Sequence, residues 1–192
     1  AACAASHIWH GAGTTCSPNP CARPPGFIVA WGKSSDGQCD VPSPNADFVA
    51  VAGGKEHSAG LKSDGTVVGW GAYAAWVPCP NAGFVAVAAG GFHSLGLKSD
   101  GTIVPWGDCG FGQCAVPSPN AGFAAVSAGG FHSLGLKSDG TIVGWGDNGH
   151  GQYDVPSPNA GFVAVAGGGM FSLGLKSDGT IVAWGTCGPC EG

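Results

Sequence analysis

Charge is what this chain has least of. Of 192 residues only seven are Lys or Arg and twelve are Asp or Glu, 10% in all against the roughly 25% of an ordinary soluble domain. The net charge of −5 is mild and the basic residues do not cluster, so the phosphate-neutralising patch that DNA or RNA binding requires is missing and nucleic acid is not an expected partner. Leu, Lys and Glu, which favour helix, are scarce as well, while Gly occurs 37 times, and together these argue for an all-β fold. No apolar run approaches the 18 residues that a membrane-spanning helix needs. At this length a chain buries about 70% of the surface its unfolded form exposes, so a core is expected without metal or partner. The chain begins at Ala1 rather than Met, from which a removed signal peptide is expected. Nine cysteines without zinc-ligand spacing point to an oxidising, extracytoplasmic compartment. Because nine is odd, one thiol is expected to stay free, pair between chains or hold a group covalently.

What the chain does have is repetition. Trp-Gly pairs at 31–32, 70–71, 106–107, 145–146 and 184–185 stand 39, 36, 39 and 39 residues apart. A fixed period near 40 means one supersecondary unit copied in tandem, each copy burying its apolar faces only against its neighbours. The clearest copy runs Phe123-Ala-Ala-Val-Ser-Ala-Gly-Gly, Phe131-His-Ser-Leu-Gly-Leu, Lys137-Ser-Asp-Gly, Thr141-Ile-Val-Gly-Trp-Gly and Asp147-Asn-Gly-His-Gly-Gln-Tyr-Asp-Val-Pro-Ser-Pro-Asn. In the equivalent Phe84-Val-Ala-Val-Ala both alternating faces are apolar, which predicts an inner strand covered on two sides. The Gly pair that follows removes side chains where backbones come close, as at the crowded centre of a radial fold. Ser-Asp-Gly at 63–65, 99–101, 138–140 and 177–179 predicts a tight hairpin between strands two and three, with Gly at positive φ. Pro-Ser-Pro-Asn at 42–45, 117–120 and 156–159 cannot sit inside a ladder and marks the crossing to the next sheet.

Three or four short strands per unit, arranged as a meander, read as a propeller blade. The expected architecture is all-β: a single β-propeller domain over 1–192 of about five blades, at about 1–45, 46–81, 82–120, 121–159 and 160–192. The first blade is partly disguised. His10 to Trp31 is 21 residues where His93 to Trp106 is 13, so its hairpin carries an insertion that holds Cys16 and Cys21.

The run Ala-Gly-Gly-x-His-Ser-Leu-Gly-Leu-Lys-Ser-Asp-Gly-Thr-Ile-Val-x-Trp-Gly, followed by Gly-Gln, resembles the repeat of the regulator of chromosome condensation family. The resemblance implies a β-propeller, usually of about seven blades made of four-stranded sheets. This chain has material for five, closer in blade number to the tachylectin lectins, so either the ring is small or another chain helps to close it. Family members include a nuclear nucleotide-exchange factor, a plant ultraviolet-B photoreceptor, a secreted β-lactamase inhibitor and bacterial surface proteins. Low charge and many cysteines look most like the secreted bacterial members. The exchange factor's inserted wing and the photoreceptor's Gly-Trp-Arg motif have no counterpart here, so neither activity carries over.

Most chemically suggestive residues have a structural reading. His57, His93 and His132 recur at one repeat position and raise the question of a ring of metal ligands. The fourth copy has Phe171 there, and the resemblance implies a histidine bonded to neighbouring backbone, so no metal is expected. Cys187-Gly-Pro-Cys190 has the spelling of a redox motif but follows a strand, with no helix to lower a thiol pKa. Asp64, Asp100, Asp139 and Asp178 are turn residues on separate blades. Neither a catalytic triad pattern nor a phosphate-binding Gly loop before a helix is present, so no enzyme and no cofactor are expected. The Trp of each Trp-Gly pair is expected to pack between blades rather than stack on sugar. Specificity should lie in the segments that break the repeat after Trp-Gly, where Tyr73, Trp76, Phe111, His150 and Tyr153 have no packing duty that the repeat demands; these are the candidate binding residues.

Cys109 and Cys114 flank a four-residue Gly-containing loop and are expected to pair, as are Cys16 and Cys21. Cys187 and Cys190 are expected to pair with each other, or one of them with Cys3, leaving Cys39 and Cys79 for a longer bridge or a free thiol. The last copy lacks the Gly-Gln-x-x-Val-Pro-Ser-Pro-Asn segment, so its outer edge should be open to further strands. Two function classes follow. One is an extracellular or cell-surface structural protein that assembles with itself, as a homo-oligomer or filament, or with other surface proteins. The other is a specific binding module for a foreign protein or a glycan.

Overall fold

The computed structural model describes residues 26–72 and 76–186. They form four antiparallel three-stranded sheets: β1 (Phe48–Gly53), β2 (His57–Lys62) and β3 (Val67–Gly71); β4 (Phe84–Ala89), β5 (His93–Lys98) and β6 (Ile103–Gly107); β7 (Phe123–Ala128), β8 (His132–Lys137) and β9 (Ile142–Gly146); β10 (Phe162–Gly167), β11 (Phe171–Lys176) and β12 (Ile181–Gly185). Each sheet is a meander with its second strand in the middle. First strands of neighbouring sheets meet one another and each packs on the second strand of the sheet before it, while the third strands diverge, the radial arrangement of propeller blades.

The hairpins form as the turn chemistry dictates. Asp64 Oδ1 accepts from the amide and hydroxyl of Thr66 at 2.9 and 2.7 Å, Gly65 takes φ +80°, and the same bonds recur at Asp100, Asp139 and Asp178. The lysine that opens each turn is occupied as well. Lys98 Nζ donates to Ala82 O and lies 4.3 Å from the centre of the Phe84 ring, and Lys62, Lys137 and Lys176 sit likewise over Phe48, Phe123 and Phe162. Four of the seven basic residues are thereby tied to the scaffold.

Two features depart from the expectations. The sheets have three strands rather than the four that the family resemblance implies. In every copy but the last, the segment after Trp-Gly carries Pro117 and Pro119 or their equivalents, which cannot donate to a ladder, and it runs instead to the next sheet. Second, the first strand is innermost but not covered on both sides: Val49, Val85 and Val163 are 45%, 53% and 54% exposed. A bulge after Phe48, Phe84, Phe123 and Phe162 takes the next residue out of the ladder and turns it away from the core. Of the blade expected over 1–45, residues 26–45 are among those described. There the Asn45 amide clamps both backbone groups of Ile28 at 2.7 Å, as Asn81 clamps Val67, Asn120 clamps Ile103 and Asn159 clamps Ile142 at 2.8 Å. Ile28 therefore stands at the third-strand position of a further blade.

Packing between blades repeats as faithfully as the sequence. Leu95, Leu97 and Ile103 of one sheet bury against Phe123 and Trp145 of the next, Leu134, Leu136 and Ile142 against Phe162 and Trp184, and Ala59, Leu61 and Val67 against Phe84 and Trp106. The Gly pairs let backbones touch: Gly91 N donates to Gly129 O at 3.0 Å, and a Cβ on Gly90 would lie 2.3 Å from that same oxygen. Trp70, Trp106, Trp145 and Trp184 are 4–7% exposed, the blade-packing role expected of them. Trp31 differs, at 83% exposed.

Candidate interaction surface

Where the first strand of each sheet turns into the second, the chain builds one rim. The residue before the recurrent histidine is Glu56, Phe92, Phe131 and Met170 in successive blades, and the loop after Trp-Gly adds Asp36, Phe111 and His150 at another equivalent position. Phe92 and Phe131 lie 5.3 Å apart between ring centres, Phe111 lies 4.7 Å from Phe131, and Lys55 Nζ stands 4.7 Å from the Phe92 ring. Three phenylalanines drawn from two adjacent repeats thus make a continuous aromatic strip capped by a cation. Met170, 49% exposed, occupies the matching position in the last blade.

Phe111 is 57% exposed on a loop closed by a covalent staple. The Cys109–Cys114 disulfide closes that loop, as the spacing predicted. Two other repeats fasten the same two positions with hydrogen bonds, Ser34 Oγ accepting from Cys39 N at 3.2 Å and Asn148 Oδ1 from Tyr153 N at 3.0 Å. Cys39 and Cys79 are free thiols, the first half-buried and the second exposed. Cys3, Cys16, Cys21, Cys187 and Cys190 lie outside the described residues, as does Tyr73.

Below the rim runs a buried polar ladder. His57 Nε2 meets Ser94 Oγ at 2.7 Å, His93 meets Ser133 at 2.9 Å and His132 meets Ser172 at 2.9 Å, each pair joining one blade to the next. Ser133 and Ser172 donate their own protons to the carbonyls of Gln113 and Gln152, so their oxygens must accept from a histidine protonated on Nε2. The Nδ1 atoms of His57, His93 and His132 are buried without a partner, which a neutral ring tolerates and a charged one does not. Burial accordingly pushes His93 and His132 down to about 4. The histidines are thus structural, but for His93 and His132 the partner is a serine hydroxyl rather than the neighbouring backbone that the resemblance implied.

The structure brings together only part of the expected binding set. Phe111 is in the strip. His150 is exposed on the same rim, its Nδ1 3.1 Å from Thr186 Oγ1, while Trp76, 58% exposed, lies on a different connection. Tyr153 is a correction: it is half-buried against the Leu134, Leu136 and Ile142 cluster, where the lack of a side chain on Gly144 admits it, so it does have a packing duty. Phe92, Phe131 and Lys55 were missed because they sit inside the regular repeat; the signal was that their position varies between copies. An open cleft of about 390 Å³ lies beside Trp31, lined also by Val29, Gln38, Cys39, Gly54 and Ser58.

Radial three-stranded blades with this stacking define a β-propeller array. The family model for the regulator of chromosome condensation (RCC1) repeat matches residues 48–72, 84–113 and 123–152, and the chain is an RCC1-repeat protein. No curated protein matches it in sequence. Among solved structures it is similar to the ectodomain of the receptor kinase CR4 from Physcomitrella patens, with 26% identity and a TM-score of 0.71 over 83% of this chain and 47% of that one. It is similar also to the ectodomain of the receptor kinase ACR4 from Arabidopsis thaliana, with 28% identity, a TM-score of 0.60 and coverage of 74% and 51%. Prp20p from Saccharomyces cerevisiae shares the fold, with 20% identity, a TM-score of 0.67 and coverage of 81% and 52%. The chain thus spans about half the length of these structures.

Proposed function

We propose that this chain is a non-catalytic extracellular β-propeller module that works by association, with copies of itself and with other surface proteins. The observation that carries this reading is the exposure of large apolar residues at both ends of the blade array, Trp31 at 83% and Ile181 at 67%, in a chain whose charge is scarce and partly tied into the hairpin turns. Its two plant neighbours are ectodomains, and the Cys109–Cys114 bridge suits an oxidising compartment; both support an extracellular or cell-surface address. Yeast RCC1 (Prp20) has been crystallised bound to Kap60, so this fold serves protein binding there. Light scattering at micromolar concentration in physiological salt tests the reading: a mass above 18.8 kDa that rises with concentration is expected, and a monodisperse monomer would refute self-association.

The aromatic strip favours a second reading, a specific binding module. Because Asp36, Phe111 and His150 differ at one equivalent position, the rim offers a single composite site rather than the repeated pockets of a lectin, which favours a protein partner over a glycan.

A further inference from the structure

Each internal blade junction has a receiving half and a covering half. The receiving half is the face of the earlier sheet that carries His93, Leu95 and Leu97 on its second strand and Ile103 on its third, and their equivalents. The covering half is the later sheet's Trp and the Val two residues before it, such as Trp145 and Val143. Three such junctions are complete within the described residues, and one of each half is left over.

The unmatched receiving half is the outer face of β10–β12. Leu61, Leu97 and Leu136 are 3–4% exposed under the following blade, but Leu175 is 37% exposed. Val67, Ile103 and Ile142 are each 2% exposed, but Ile181 is 67% exposed. Here Phe171 replaces the histidine that elsewhere reaches for the next blade's serine, so this face is apolar throughout and asks for no hydroxyl. The unmatched covering half is the segment from Phe27 to Trp31. Alternation along this segment puts Ile28, near Gly60, toward β1–β3 and sends Phe27, Val29 and Trp31 the other way, where they are 74%, 64% and 83% exposed. Val29 and Trp31 stand where Val143 and Trp145 stand in their blade.

We infer that a second copy of this chain docks head to tail, the Val29 and Trp31 face of one copy covering the Leu175 and Ile181 face of the other. This rests on the self-association reading and names its surfaces. Among the described residues both halves stay exposed. Matching 83% of this chain to 47% of the moss ectodomain lays its blades along about half of a larger structure of the same fold. A head-to-tail junction uses two different patches and so closes into a ring or propagates according to its rotation alone.

The test uses the full chain and two variants, Trp31→Glu and Ile181→Glu, both at positions exposed enough to leave the fold intact. Light scattering is expected to give a multiple of 18.8 kDa for the wild type and the single-chain mass for each variant alone. An equimolar mixture of the two variants retains one intact junction, Trp31 of one on Ile181 of the other, and is expected to give a pair and nothing larger. If the wild type assembles and both variants assemble equally well, the named faces are wrong while self-association stands. If the wild type is monomeric, both fail. If the mixture stays monomeric while the wild type assembles, the head-to-tail order is overturned.

Discussion

Acidification from pH 7 to pH 4 is expected to strip most of the stability from the blade array. His93 and His132 are held down to about 4 by burial, against 6.5 for an exposed histidine. Between those values the unfolded chain binds protons that the folded chain refuses, so stability is fully present above pH 6.5 and is lost as pH falls toward 4. At 1.36 kcal/mol per unit this amounts to about 3 kcal/mol for each histidine, a large share of the roughly 5–15 kcal/mol of a typical domain. The physical cause is the orphaned Nδ1: adding a proton there charges a ring whose only polar partner, the serine oxygen, already faces Nε2. Denaturant melts at half-unit pH steps check this. The double variant His93→Gln and His132→Gln, which keeps a donor toward serine but no titrating group, should show a much flatter profile over the same range. A wild-type midpoint unchanged between pH 6.5 and 4.5 would rule the ladder out as an acid-sensitive element.

Removing one side chain at a blade junction should cost almost as much. Leu134 is fully buried between its own sheet and the next, so Leu134→Ala is expected to lose about 2–5 kcal/mol through lost burial and the cavity left behind. Leu173 is its counterpart in the last blade and is only half-buried, so Leu173→Ala in dilute protein should cost well under half as much. Comparing chemically identical changes at equivalent positions isolates the contribution of the covering blade. Equal losses at both positions would mean that Leu173 is already covered in the single chain.

Whatever recurs within one repeat was legible in the sequence: the Ser-Asp-Gly hairpins, the Trp-Gly register, the Gly pairs at close backbone approach, the Cys109–Cys114 loop. Each depends on residues a few positions apart, or on a period that the eye can count. What stayed hidden depends on how blades meet. Ser133 is 40 residues from His93, and nothing marks it as the histidine's partner until the sheets stack. Asn120 looks like turn punctuation, yet it holds the third strand 17 residues before it. Tyr153 reads as a loop aromatic because its packing partners lie in β8 and β9 rather than beside it. The valines after Phe48 and Phe84 read as core because a bulge leaves no trace in an apolar alternation. The aromatic strip was overlooked for a related reason: Phe92 and Phe131 belong to different repeats and become neighbours only on the assembled rim.

The central claim is that the two ends of this array are the complementary halves of one blade junction. Hydroxyl-radical footprinting of the wild-type chain, at dilute and at assembling concentrations, reads those side chains directly. Dilute protein should oxidise Trp31 far faster than Trp70, Trp106, Trp145 or Trp184, given exposures of 83% against 4–7%. At assembling concentration the oxidation of Trp31, Leu175 and Ile181 should fall together while Phe111, on the rim, keeps its rate. Oxidation of Trp31 and Ile181 that stays the same at both concentrations, in a sample shown to be assembled, would contradict the account.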